Sequence, residues 1–151
     1  MKKLLVLIAG VLLSVSSYGQ LSTAGNSKEI GRYSGIMNPS QSADLVSYEI
    51  NNQTEYKWSY VNMENPDGKD FVRTFIKFKG DAKLINDLYL VLKDQLKDEN
   101  RNKKYNLTLG ETDLEIVGMR LLGANQLSIR TKNSWFFMSE KQLNKLFGIK
   151  I

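Results

Sequence analysis

The chain has 151 residues, with 21 Lys+Arg against 16 Asp+Glu, 42% hydrophobic residues, 10% aromatics and neither Cys nor His. That length fits one domain of roughly 100–200 residues, and the hydrophobic share argues against wholesale disorder. The two missing residue types exclude disulfides, thiolate or imidazole metal sites, a cysteine nucleophile and a Ser-His-Asp triad.

Met1-Lys2-Lys3 is a short basic start, and residues 4–15 (LLVLIAGVLLSV) are apolar. A spanning helix needs roughly 20 such residues, so the run has the length of a signal-peptide core rather than of an anchor. Small Ser17 and Gly19 are spaced as a cleavage site, which predicts a cleaved signal peptide over 1–19 and a mature chain beginning at Gln20. Loss of Lys2 and Lys3 brings the formal charge of +5 down to +3, a value that speaks for solubility and against nucleic acid as partner. The reading is a bacterial periplasmic or secreted protein. It has no cysteine for lipid attachment and no second long apolar run.

Residues 20–43 form a polar lead-in, with a short strand at 30–37 weakened by two glycines. The domain proper is expected over 44–151. Alternation begins at 44–50, where Val46, Tyr48 and Ile50 share one side against Ser47 and Glu49. In 55–64, Tyr56, Trp58 and Tyr60 share one side against Lys57 and Ser59, which reads as a buried face. A hairpin loop over 51–54 joins the two strands, since Asn tolerates positive φ. Asn65-Pro66-Asp67-Gly68-Lys69 carries the residue types of a tight return, pairing 55–64 with a strand over 69–79. There Arg73, Phe75 and Lys77 lie opposite Thr74, Ile76 and Phe78.

Asp81 is a helix N-cap for 82–97, where Leu84, Leu88, Val91 and Leu92 merge with Ile85, Tyr89 and Leu96 into a broad apolar stripe. Strands follow at 104–109, 113–122, 126–131 and 134–138, with breakers at Gly110, Gly123-Ala124-Asn125 and Lys132-Asn133. Ser139 and Gln142 form a capping box for a short helix over 140–147, stopped by Gly148. Residues 81–89 echo 139–147 without gaps: Lys83/Lys141, Asn86/Asn144 and Leu88/Leu146 are identical. Two meander-plus-helix units would give this, and so would any two capped amphipathic helices.

The fold class is therefore α+β: largely antiparallel β-meanders of about seven strands, with the helices at 82–97 and 140–147 packed on the sheet. A partly closed barrel is the alternative.

Three functional readings follow. In the first, an exported, non-enzymatic binding or accessory domain meets an acidic macromolecule or another envelope protein. Its contact surface is Lys57, Arg73, Phe75, Lys77 and Arg130, provided both meanders share one sheet. In the second, Glu111, Asp113 and Glu115 alternate on one strand face and serve a small hydrolase or hold Ca²⁺. In the third, the sheet curls around a small apolar ligand held by Tyr56, Trp58 and Trp135. The chain contains no G-x-S-x-G elbow, G-x-G-x-x-G turn or Walker lysine loop, so no catalytic residue and no cofactor is expected.

Overall fold

The computed structural model describes residues 26–34, 42–63 and 72–150. The expected export signal over 1–19 and the Asn65–Lys69 turn lie outside the described residues. Among those described, eight strands and two helices follow in order: β1 Ser27–Tyr33, β2 Ala43–Ile50, β3 Gln53–Val61, β4 Arg73–Lys79, α1 Ala82–Gln95, β5 Lys104–Leu109, β6 Thr112–Leu121, β7 Ala124–Arg130, β8 Trp135–Ser139 and α2 Glu140–Leu146. The fold is α+β, and every strand pairing is antiparallel.

The strands form two sheets rather than one, in the orders β1-β2-β3-β4 and β5-β6-β7-β8. Each half is thus a four-stranded meander followed by a helix, so the echo between 81–89 and 139–147 sits at the same topological place in both. The caps are those the sequence indicates. Asp81 accepts from the Leu84 N–H at 2.9 Å. Ser139 and Gln142 exchange both bonds of a capping box, at 3.4 and 2.8 Å.

The strand expected at 30–37 runs instead over Ser27–Tyr33 and is a full member of the first sheet, paired with β2. The inside and outside of β2 are also the reverse of what Val46, Tyr48 and Ile50 suggest. Ala43 and Leu45 are buried, while Val46 and Tyr48 are half-buried and Ile50 is exposed. Register is the cause: Leu45 lies opposite Trp58 and Val46 opposite Lys57, and residues directly opposite share a face. The large ring of Trp58 fixes which face is core, and the smaller side chains follow.

Tyr56, Trp58 and Tyr60 point inward, as their alternation predicts. Across the interior Phe136 of β8 meets them, with its ring stacked on Tyr60 at 4.0 Å and edge-on to Trp58 at 5.5 Å. One core therefore spans both sheets. The α1 stripe (Leu88, Tyr89, Leu92, Leu96) and Leu143, Leu146 and Phe147 at α2 close it.

The helices are exchanged between the halves. The end of α1 lies against β6, so close that a Cβ on Gly118 would stand 1.9 Å from the Gln95 carbonyl oxygen. The end of α2 lies against β1, where a Cβ on Gly31 would stand 2.1 Å from the Lys145 carbonyl oxygen. Between the helices, Tyr89 donates to Asn144 Oδ1 at 2.8 Å.

Among the described residues three hairpins turn on two residues each, and in two of them both turn residues take positive φ. Asn51 and Asn52 both take positive φ (51° and 59°), which suits the primed turn that matches strand twist. The equivalent turn between β6 and β7 is Leu122-Gly123, one residue ahead of the expected Gly123–Asn125 break, with Leu122 at φ 51°. Leu122 is 98% exposed, so no packing offsets the left-handed backbone of a branched aliphatic residue. Replacing it by Asn should stabilise the fold by about 1 kcal/mol. Equilibrium denaturation would show this as a raised midpoint with unchanged slope. An unchanged or lowered midpoint would mean that the turn carries no strain.

Candidate functional site

The outward face of the first sheet follows from the register. Because Ile76 and Phe78 fill the core, Arg73, Phe75, Lys77 and Lys79 must face out. Lys57 on β3 lies directly opposite Lys77 and shares this face. Both ammonium groups approach one ring: Lys57 Nζ is 4.9 Å and Lys77 Nζ 5.6 Å from the Phe75 centroid. The ring itself is 53% exposed, unusual for a phenylalanine with a core available. A cation over an exposed ring gains only about 0.5–1 kcal/mol, so each ammonium keeps most of its capacity for an anion.

Neighbouring charges are partly matched. Arg73 pairs with Asp44 and also reaches Ser42 Oγ at 3.3 Å. Lys77 lies 4.0 Å from Glu55, a loose pair, and Lys79 donates to Gln53 Oε1 at 3.3 Å. Among the described residues no carboxylate lies within ion-pair distance of Lys57.

The structure therefore brings together four of the five residues nominated for partner binding: Lys57, Arg73, Phe75 and Lys77. Arg130 stands apart, because the premise that both meanders share one sheet does not hold. It lies on the outward side of β7 in the second sheet, with its guanidinium 5.8 Å from the Trp135 ring. Ser128 shares that side but is buried, and Lys132 lies beyond the strand end.

A run of clefts nevertheless links the two regions. One of about 600 Å³ is bordered by Phe75, Lys77 and Lys79 and by the turn carrying Glu111. The next, about 360 Å³, lies between Thr74–Ile76 on one wall and Glu111–Asp113 with Thr131–Ser134 on the other. A third, about 600 Å³, is lined by Asn106–Thr108, Asp113–Glu115 and Arg130–Lys132. Adjacent clefts share Phe75 and Glu111, then Asp113 and Lys132. The floor of the middle one is a hydroxyl chain: Tyr60 Oη to Ser134 Oγ at 2.6 Å, and Ser134 Oγ to Thr131 Oγ1 at 2.7 Å. Burial raises the Tyr60 phenol above its ordinary pKa, and its bonds to Ser134 and Thr131 act in the opposite direction. Sequence reasoning did not find this chain, because its members lie 74 positions apart and only the meeting of the two inner faces joins them.

Only two of the three carboxylates share a strand face. Glu111 occupies the turn after β5, while Asp113 and Glu115 lie on β6, an interior strand. Asp113 accepts from Thr108 Oγ1 at 2.7 Å, and Glu115 from Lys104 Nζ at 2.8 Å. Among the described residues no group of three acidic side chains is placed to hold a metal ion.

Tyr56, Trp58 and Trp135 do not line a common cavity. The first two are buried in the first sheet's inner face, with Tyr56 stacked on Phe78 at 5.3 Å. Trp135 lies on the outward side of the second sheet, edge-on to Phe137 at 4.8 Å. Its backbone marks the seam between the sheets: Met63 N–H donates to the Trp135 carbonyl at 2.9 Å, and Trp135 N–H to Asn62 Oδ1 at 3.2 Å.

No helix among the described residues is long and apolar enough to cross a membrane. Comparison with protein-family models, with curated proteins and with solved structures finds no match to this chain.

Proposed function

We propose that this chain is an exported, non-enzymatic binding domain that meets an acidic macromolecular partner through the outward face of its first sheet. The observation that carries the reading is the exposed Phe75 ring with the Lys57 and Lys77 ammonium groups near it. The ring offers an apolar contact at the centre of the patch, and the two ammonium groups beside it select for negative charge. Residues 1–19 serve as the export signal in this reading, so the working protein recovered from the cell envelope begins at Gln20. Arg130 lies on the other sheet at the far end of the clefts and contributes at the periphery.

Binding to immobilised polyglutamate, followed across salt concentrations, tests this. The Lys57→Glu/Lys77→Glu double variant should lose affinity by about tenfold or more at low salt, against a few-fold at most for Arg130→Glu. Lys77 and Arg130 are exposed and Lys57 is half-buried, so these substitutions should shift the thermal midpoint by only a few degrees. Equal binding by the double variant and the unaltered protein would remove the site.

A further inference from the structure

We propose that the partner segment joins the first sheet as an added strand along the open edge of β4. This inference rests on the binding reading above and names its mode and the chemistry of the ligand.

The hydrogen-bond ladder shows which backbone groups are available. Asn62 N–H donates to the Val72 carbonyl at 2.9 Å, and Gly80 N–H to the Thr54 carbonyl at 3.2 Å. In an antiparallel ladder bonded pairs alternate with non-bonded ones, so between these ends the bonded pairs are Tyr60–Thr74, Trp58–Ile76 and Tyr56–Phe78. The even-numbered residues of β4 are thereby committed to β3. The N–H and C=O groups of Arg73, Phe75, Lys77 and Lys79 point away from it. The sheet ends at β4, and among the described residues no backbone hydrogen bond leaves the strand in that direction. One of these groups is covered: Gly110 sits against the Lys77 carbonyl, where a Cβ would come within 2.4 Å. Pairing therefore runs from Lys77 N–H back through Phe75 to Arg73. The cleft of about 360 Å³ beside Thr74–Ile76 is the space that such a short strand would enter.

Side-chain chemistry then specifies the ligand. Residues of an added strand that lie opposite Arg73, Phe75 and Lys77 share their outward side. The sequence cation, ring, cation along β4, with Lys57 behind it, selects a strand with carboxylates at alternate positions. The β4 of a second copy does not satisfy the edge, because it would set Arg73 and Lys77 against like charges, the usual device that keeps sheet edges apart. A sulfated polysaccharide would satisfy the cations but leave the backbone groups without partners.

The probe is a capped peptide of alternating glutamate and valine, added to the full-length protein. Three measurements apply: titration calorimetry, amide exchange at Phe75 and Lys77, and the same titration with the peptide N-methylated at every second amide. The expected result is saturable binding, slowed exchange at those two amides by about tenfold or more, and loss of about tenfold or more in affinity on N-methylation. Equal binding of the methylated peptide, with sensitivity to Lys57→Glu/Lys77→Glu retained, would overturn strand addition and leave the charged-surface reading standing. Binding of a heparin oligosaccharide but not of the peptide would overturn it in the same way. Failure of the unaltered protein to bind peptide, polyglutamate or heparin would overturn both.

Discussion

Gly118→Ala is expected to destabilise the protein by about 3 kcal/mol, which lowers the thermal midpoint by roughly 10 °C. The added methyl group would meet the Gln95 carbonyl oxygen at 1.9 Å and its carbonyl carbon at 3.1 Å. Both are backbone atoms at the end of α1, so no side-chain rotation relieves the overlap. The connection that follows α1 is also tied at this point, since Asn102 N–H donates to the Gly118 carbonyl at 2.8 Å. Gly123→Ala is the control. Nothing lies within 4 Å of a Cβ there, and only its φ of 84° opposes the change, at about 1–2 kcal/mol. Calorimetric melting of both variants separates packing from conformation. If the two lose the same amount, the exchange of α1 onto the second sheet is looser than the structure shows. Gly31→Ala should repeat the larger loss at the α2–β1 contact, where two carbonyl oxygens stand within 2.6 Å of the new atom.

Trp58→Ala should cost about 4 kcal/mol, and Trp58→Phe about 1 kcal/mol or less. Trp58 is fully buried between cross-strand Leu45 and Ile76, and it joins the sheets through Phe136. Truncation to alanine opens a cavity at a place where both inner faces meet. The smaller change is expected to be mild for a second reason. The indole Nε1 is buried without a hydrogen-bond partner, a loss of hydration worth about 1–3 kcal/mol that phenylalanine does not incur. The cavity left by the missing ring atoms is therefore offset. Urea unfolding midpoints measure both variants. A Trp58→Phe loss as large as that of Trp58→Ala would show that the indole N–H is satisfied in solution. Only two tryptophans are present, so this variant also isolates the fluorescence of half-exposed Trp135, which should shift to longer wavelength on average than that of the unaltered protein.

The cationic patch and the tight seams differ in how visible they are in the sequence. The strand bearing Arg73, Phe75 and Lys77 shows its outward side by simple alternation, because Ile76 and Phe78 are large enough to claim the core. Alternation misleads at β2, where both faces carry apolar residues and the choice between Leu45 and Val46 is made by the partner strand. Nothing local marks Glu111 and Asp113 as the wall facing Phe75, or Ser134 as the partner of Tyr60. Those relations exist only once two meanders have packed face to face.

What the residues determined unaided is short-range: strand period, helix caps, the α1 stripe and the burial of Tyr56, Trp58 and Tyr60. Each of these depends on neighbours within a few positions, or on a side chain too large and apolar to remain in water. The tertiary structure decided the division into two sheets, the exchange of helices between them, the separation of Arg130 from the other four nominated residues, and, among the described residues, the place of β4 as the last strand of its sheet. These depend on which elements share a core, and that choice is made by packing area and close backbone contact at Gly31, Gly110 and Gly118. A glycine in a linear chain does not reveal which carbonyl will come to rest against it.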